Sequence, residues 1–439
     1  MPHLSQIARR KIFWLLDTLQ GGTTKRHYKE IKEIHSYPQD VSIQHRRKLN
    51  LDKLLAHATK TTSFYGELGN LANLEDFPII DKNTILNHYD DFKSDQFEVS
   101  KLYKASSSGS TGIPFSIYQN NSKRTRNTAD VIYFTQQAGG AIGNKLFYIK
   151  LWDHTNAKSK WETFVQNIFA HNVMDTSRKE LKSLVSRIQK HKSPKTILGY
   201  PSFFEELCDY LDGQEQPLSV KNVDCVISMA EALKKHERKR MSDYFKAPVF
   251  ERYSNQENGI LAQQTQGSNG KYLLNWASYH FEILELHSDK HVESGGLGRI
   301  VVTDLFNYSM PMIRYDTGDM AIYEESKDGL PYLSKIYGRR MDSIYNTSGE
   351  IVSPFIFYMV LDFSKIRQFQ FIQTKKTEYL FKLNGNPKDV PEEEIVNYFR
   401  TYLGEDAKIR FSYVEEIPLL SSGKRKKIVN HFHKEPATS

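Results

Sequence analysis

The sequence predicts an α/β protein: a large N-terminal domain built on parallel sheets, a small β-rich subdomain, and a small C-terminal α+β domain. Three observations lead there. Between residues 146 and 253, short apolar runs bounded by turn residues alternate with amphipathic helical segments, the pattern of parallel strands joined by crossover helices. From about Tyr272 the pattern changes to period-two alternation with Gly-rich turns, as an antiparallel sheet or small barrel requires. After residue 338 a separate strand–helix–strand series follows, so the expected domains are 1–337 and 338–439.

Residues 1–95 read as mostly helical. The basic and briefly apolar segment Ile7–Leu16 predicts a helix docked on the protein's own core, with a membrane-surface helix as the alternative. Leu49, Leu51, Leu54, Leu55 and Ala58 share a helical face, and Pro78–Asn83 reads as a turn followed by a capped helix. Residues 122–139 form a helix stopped by Gly139-Gly140. Strands are predicted at Leu146–Ile149, Thr196–Leu198, Val223–Ser228 and Pro248–Tyr253. Helices at Leu181–Ile188, Ser202–Leu211 and Ala232–Phe245 intervene. In the β-rich part, His280–Leu286 and Gly298–Thr303 are strands. In the C-terminal part Phe369–Gln373, Tyr379–Leu383 and Ile409–Val414 are strands around a helix at Pro391–Leu403.

Composition narrows the function. The 439 residues carry 25 Phe and 25 Tyr, enough for packed cores and against a disordered chain. A net charge of +8 over this length permits anionic ligands such as nucleotides but gives no footprint for nucleic acid. Cys208 and Cys225 stand alone, without the spacing of a zinc site or disulfide framework, which fits a reducing, cytoplasmic setting. No apolar run approaches the ~20 residues that span a bilayer, so no transmembrane segment is expected.

Five stretches carry chemistry. Ser106–Pro114 packs five hydroxyl residues and two glycines into nine positions. Such a run makes a poor strand or helix interior, yet it presents backbone N–H and hydroxyl donors to an anion, polyphosphate above all. A flexible linker is the bland reading, opposed by the Thr-Gly-x-Pro turn and the strand-like Phe115–Tyr118 that follows. Arg252–Gly259 ends a predicted strand in a polar cluster whose Glu257 is suited to Mg²⁺. Met312–Asp319 sets two carboxylates around a Thr-Gly turn; one can accept both ribose hydroxyls while a nearby Arg meets phosphate. Gly338–Asp342 sits where the chain changes domain and reads as a hinge. Pro418–Lys424 puts a Lys on a Gly turn, although the run Lys424–Lys427 also reads as a solvated basic tail.

Taken in order, these stretches resemble the adenylate-forming (acyl-activating) superfamily, specifically its phenylacetate–coenzyme A ligase-like branch that includes CapK-type proteins. The resemblance covers essentially the whole chain, beginning with Phe64-Tyr65 and Leu74–Ile79. It implies an ATP- and Mg²⁺-dependent ligase that forms an acyl-AMP and passes the acyl group to coenzyme A or another thiol or amine acceptor. It implies that Ser107, Ser108, Gly109, Ser110, Thr111 and Gly112 hold the ATP phosphates and that Glu257 binds the metal. Ala230, Glu231 and Tyr253 would line the adenine and acyl pocket, Asp319 would hold the ribose, and Arg339 would support ribose or phosphate. Lys424 would act in adenylation, carried by a C-terminal lid that pivots near residues 340–342. Departures are Phe115 after the loop's Pro, Tyr-Ser-Asn-Gln-Glu at residues 253–257, and Met341 at the hinge. The CapK-like resemblance further points to surface polysaccharide biosynthesis. Two other functions stay open at this level: AMP transfer of the coenzyme F390 synthetase type, and a non-catalytic nucleotide-binding scaffold. The carboxylic acid is unnamed, and the oligomeric state, a dimer included, is open.

Overall fold

The structure is a computed structural model. It describes residues 4–69, 71, 73–107, 115–152, 157–215, 218, 220–286, 288–326, 329–337, 344–350, 352, 354–357, 366–419 and 425–432. The N-terminal helices are α1 (Leu4–Leu19), α2 (Thr23–Ser36), α3 (Val41–Thr61), α4 (Ser63–Gly66) and α5 (Lys82–Asn87). Their starts follow from capping chemistry. Asp40 accepts from Ser42 N–H at the head of α3, and Asp81 forms a capping box with Thr84 at the head of α5. On α3, Leu54, Leu55 and Ala58 are buried as their spacing predicts, while Leu49 is exposed.

A two-stranded hairpin follows, β1 (Tyr103–Ser107) with β2 (Phe115–Gln119), paired antiparallel so that Ser107 faces Phe115. Helix α6 (Asn121–Gln137) then packs on α2. The next elements alternate: β3 (Lys145–Lys150), α7 (Lys160–Val165), β4 (Ile168–Asn172), α8 (Arg178–Lys190), β5 (Lys195–Gly199), α9 (Pro201–Asp212), β6 (Val223–Met229), α10 (Lys235–Phe245) and β7 (Val249–Asn255). After these come β8 (Gly259–Gln264), β9 (Tyr272–Leu274), β10 (Tyr279–Leu284), β11 (Leu297–Asp304), β12 (Tyr315–Glu325) and β13 (Pro331–Tyr337).

Among the described residues, eleven of these strands form one sheet in the order β10-β11-β12-β13-β9-β8-β7-β6-β5-β3-β4. From β4 to β7 every pairing is parallel, and from β7 onward every pairing is antiparallel. The β-rich part is therefore continuous with the parallel part instead of forming a sheet of its own. One core, with Leu54, Tyr65, Phe77, Leu261 and Tyr315, lies between the N-terminal helices and the antiparallel strands. A second, with Phe147, Leu184, Phe204 and Val226, lies between the parallel strands and their helices.

The C-terminal region builds a four-stranded sheet from β14 (Gln368–Lys375), β15 (Glu378–Asn384), β16 (Lys408–Tyr413) and β17 (Ile428–Asn430), in the order β16-β15-β14-β17. Helix α11 (Glu392–Leu403) covers it. Its core stacks Phe371, Phe381 and Phe399 and draws its buried residues from 344–407 alone.

One strand is unforeseen and one expectation fails. Strand β4 is unforeseen because Ile168–Asn172 lies at the sheet edge, where apolar alternation is weak. Helix α1 exists but does not bury an apolar stripe. Its buried residues are Gln6 and Asp17, while Leu4, Ile12, Leu15, Leu16 and Leu19 are exposed.

Candidate functional site

The site gathers at the C-terminal ends of β6 and β7. Met229 pairs with Arg252 in parallel register, so Ala230 and Glu231 leave β6 beside Tyr253. On its other side β7 runs antiparallel to β8, with Tyr253 opposite Ala262. The turn after β7, which carries Glu257, thus opens at the place where the sheet changes from parallel to antiparallel. Doubly wound folds bind ligands at the carboxyl ends of such strands.

Tyr253 and Asp319 are joined directly. The Tyr253 hydroxyl donates to Asp319 Oδ2 at 2.7 Å and lies 3.2 Å from Thr317 Oγ1. Burial, with the Asp319 carboxylate beside it, pushes the phenol well above its ordinary value, so Tyr253 remains a donor at neutral pH. Thr317 is itself fixed, donating to Ile300 O at 3.0 Å and accepting from Asp319 N–H at 3.2 Å. Gly318 sits between them at φ +78°, a backbone that glycine adopts without strain.

Glu257 is tied to the same strand. Its Oε1 accepts from the Tyr315 hydroxyl at 3.0 Å, and its carbonyl accepts from Gln119 Nε2 at 2.9 Å. Tyr315 is buried and Gln119 ends β2, so the hairpin that begins and ends the Ser/Gly stretch reaches the Glu257 turn. Two segments some sixty residues apart in sequence, 253–257 and 315–319, are thereby interlocked by two tyrosine–carboxylate hydrogen bonds.

Glu231 makes a third contact set. It accepts from Ser202 N–H at 3.0 Å at the first turn of α9, where the helix dipole favours a carboxylate. It also accepts from Arg425 N–H at 3.1 Å, so the C-terminal segment lies against the end of β6. Ala230 adopts φ +74°, a left-handed conformation costing a non-glycine residue about 1–3 kcal/mol, and it turns the chain sharply there. Arg425 is buried, with Nη2 between Glu206 at 2.9 Å and Glu416 at 2.8 Å, and Lys427 donates to Ala232 O at 3.0 Å.

The donor set is consistent with Mg²⁺. Among the described residues no group of three His, Cys, Asp or Glu side chains could hold a metal on its own. Glu257 offers one carboxylate, which suits an ion that usually takes one or two carboxylates and completes its shell with phosphate oxygens and water.

The residues expected to act together divide as follows. Tyr253, Asp319 and Glu257 converge, and Ala230 and Glu231 border them. The backbone of Ser107 closes β1, whereas Ser108, Gly109, Ser110, Thr111, Gly112, Arg339 and Lys424 lie outside the described residues. Two readings are corrected. Arg314 does not face a phosphate: it is buried at φ +52° and pairs with Glu282 at 2.8 Å, with further bonds to the carbonyls of Phe77 and Glu75. Asp316, the first carboxylate of its turn, is held by Arg299 at 3.0 Å and by Gly318 N–H. Nor is the basic run after Lys424 a solvated tail, since Arg425 is buried among carboxylates. Tyr315, Gln119, Ser202 and Arg425 were not singled out as site residues. Their roles depend on partners 29 to 219 positions away, which local sequence pattern does not reveal.

Comparison with known proteins agrees with this fold. Residues 344–431 match the CapK C-terminal domain family. The chain is 23% identical to Protein CapK of Staphylococcus aureus over 437 residues, covering 93% of each chain. It is 22% identical to phenylacetate-coenzyme A ligase of Aromatoleum evansii over 399 residues, covering 84% of this chain and 87% of that one. Among solved structures, 2-hydroxyisobutyryl-CoA ligase in its postadenylation state superposes with a TM-score of 0.70 at 17% identity, covering 87% of both chains. The fold is that of the acyl-CoA ligases of the adenylate-forming superfamily, and the resemblance drawn from the ordered motifs holds.

Proposed function

We propose that this relative of CapK and phenylacetate-coenzyme A ligase is an ATP-dependent carboxylate-activating ligase. It joins a carboxylic acid to AMP and then passes the acyl group to coenzyme A or another thiol or amine. The observation that carries the reading is the interlock of Tyr253–Asp319 with Glu257–Tyr315 at the end of β7.

In this reading Asp319, oriented by Tyr253, accepts the ribose hydroxyls, and Arg339 would support ribose or phosphate. Ser107–Gly112 take the β- and γ-phosphates on backbone N–H and hydroxyl donors. Glu257 would hold Mg²⁺, which when bound neutralises phosphate charge. The substrate carboxylate oxygen attacks the α-phosphorus and pyrophosphate leaves. Both reactants are anions, so a cation at the reacting atoms is the main electrostatic requirement, and Lys424 supplies it. The bond from Arg425 N–H to Glu231 supports this assignment, because it sets the residue after Lys424 against the segment proposed to line the acyl pocket. In the second step the acceptor's thiol or amine attacks the acyl carbon and AMP leaves. The split into domains 1–337 and 338–439, with the second as a pivoting lid, belongs to the same proposal, as does a role in surface polysaccharide biosynthesis.

The test is pyrophosphate release from ATP and Mg²⁺ over a panel of aryl, fatty, amino and sugar acids, with and without coenzyme A. Release on one acid class is expected, with a thioester when coenzyme A is present. Lys424→Ala should abolish release in a folded protein; full activity in that variant would sink the assignment.

A further inference from the structure

Helix α1 is held to the protein by polar contacts and by the half-buried Trp14, whose ring centroid lies 5.7 Å from that of Tyr28. Gln6 bonds Asn144, Arg9 donates to Phe164 O at 2.7 Å, and Asp17 accepts from Thr24 and Lys25 N–H at 3.1 and 3.0 Å. These contacts fix the helix with its apolar stripe outward. Leu4, Ile12, Leu15, Leu16 and Leu19 are 84, 53, 59, 44 and 75% exposed. At 3.6 residues per turn they share one face of about a third of the circumference. A helix serving only the interior would show the opposite arrangement.

The patch does not end with α1. Arg9 also lies over the Phe164 ring, 5.1 Å from its centroid, which brings α7 alongside. There Trp161 is 73% and Phe164 63% exposed. Large exposed aromatic rings beside exposed leucines are what a bilayer interface accommodates, the ring in the headgroup region and the aliphatic side chains beneath.

Charge selects the partner. On the helical wheel Lys11 and Arg9 flank the apolar stripe on opposite sides, and Lys160 opens α7. The chain as a whole carries +8. Apposing this face to a second copy about a twofold axis would bring like charges together at both rims, whereas anionic headgroups satisfy them. Among the described residues no helix is long and apolar enough to cross a membrane, and α1, about 24 Å long, fits lying in the surface plane.

We propose that α1 and α7 form a docking face that seats the protein on anionic lipid bilayers. The reading is independent of the ligase chemistry. Full-length protein should float with vesicles containing about a third phosphatidylglycerol and stay behind with pure phosphatidylcholine vesicles. Ile12→Glu/Leu15→Glu alters only exposed positions and should lower the bound fraction at least tenfold while leaving pyrophosphate release unchanged. Lys11→Glu should weaken binding severalfold, and so should raised salt. Trp161 should report contact directly, as a blue-shifted emission on vesicle addition that is lost in Trp161→Phe. Wild-type protein that ignores anionic vesicles would overturn the proposal, as would binding that survives Ile12→Glu/Leu15→Glu. A wild-type dimer that the double variant converts to a monomer, with no vesicle binding, would assign the face to a second copy instead. Should the double variant not fold, the single changes Leu15→Gln and Trp161→Gln carry the same readouts.

Discussion

Tyr253→Phe isolates one hydroxyl at the proposed ribose site. The ring stays, so packing against the antiparallel core is kept, and only the donor to Asp319 at 2.7 Å and the contact with Thr317 at 3.2 Å disappear. A hydrogen bond to a charged acceptor contributes about 1.5–3 kcal/mol. If Asp319 holds the ribose, losing its orienting partner should weaken ATP by that amount, roughly 10- to 150-fold at about 1.4 kcal/mol per decade. Because the ribose does not react, the contact is equal in ground and transition states, so the loss should fall on KM for ATP and leave kcat nearly unchanged. Pyrophosphate release titrated against ATP reads both constants, and thermal unfolding checks that the fold is intact. The burial that keeps the phenol protonated also predicts a wild-type profile free of any tyrosine titration through neutral pH. A KM within about twofold of wild type, in a variant of unchanged melting temperature, would refute the role of Tyr253 and weaken that of Asp319.

Other outcomes follow from the same structure. Lys123 and Asp304 form an ion pair at 2.6 Å with both side chains fully buried; Lys123→Met strands the carboxylate and should cost about 3–5 kcal/mol in denaturant unfolding. Arg425→Ala removes the partner of Glu206 and Glu416 and should destabilise by about 2–4 kcal/mol. Adding Glu206→Gln should recover part of that loss, because burial already raises the Glu206 carboxyl. His35 is half-buried, its ring stacked on Tyr133 at 4.9 Å and both ring nitrogens shielded from solvent without a hydrogen bond, and this burial lowers its pKa from 6.5 to about 3. The unfolded chain therefore takes up the proton first, and stability present above pH 6.5 is lost as the pH falls toward 3. The slope is about 1.4 kcal/mol per unit, and His35→Phe should flatten it in pH-dependent unfolding.

Much of this fold is legible in the sequence, for stated physical reasons. Strands β5 and β6 are buried on both faces and β3 and β7 on one face or in part, so they read as short apolar runs, and turn residues mark their ends. Pro78–Asn83 announced α5 because capping is a local affair, and Asp81 does cap that helix. What stayed hidden is long-range. The periodicity of α1 shows which residues share a face, not whether that face turns to protein or to solvent. Arg314 looks like an anion receptor until Glu282, thirty-two positions earlier, is seen to fill its guanidinium. Glu257 and Asp319 were chosen by motif, yet the tyrosines that orient them, Tyr315 and Tyr253, gain that meaning only when β7 and β12 meet in space.

Strand β7 has a consequence for how the protein comes apart. It gives one edge of its backbone to β6 and the other to β8, so the two large cores hang on a single ladder. Loosening either core strips hydrogen bonds from the strand that the other depends on, and the two melt as one cooperative unit. Among the described residues the C-terminal sheet meets that unit through Lys234, Arg425 and Lys427 rather than through strand pairing. Its opening therefore has a free energy of its own. Damage deep among the parallel strands is felt at Tyr253 as a lower population of folded pocket, even where no atom near the nucleotide site has moved.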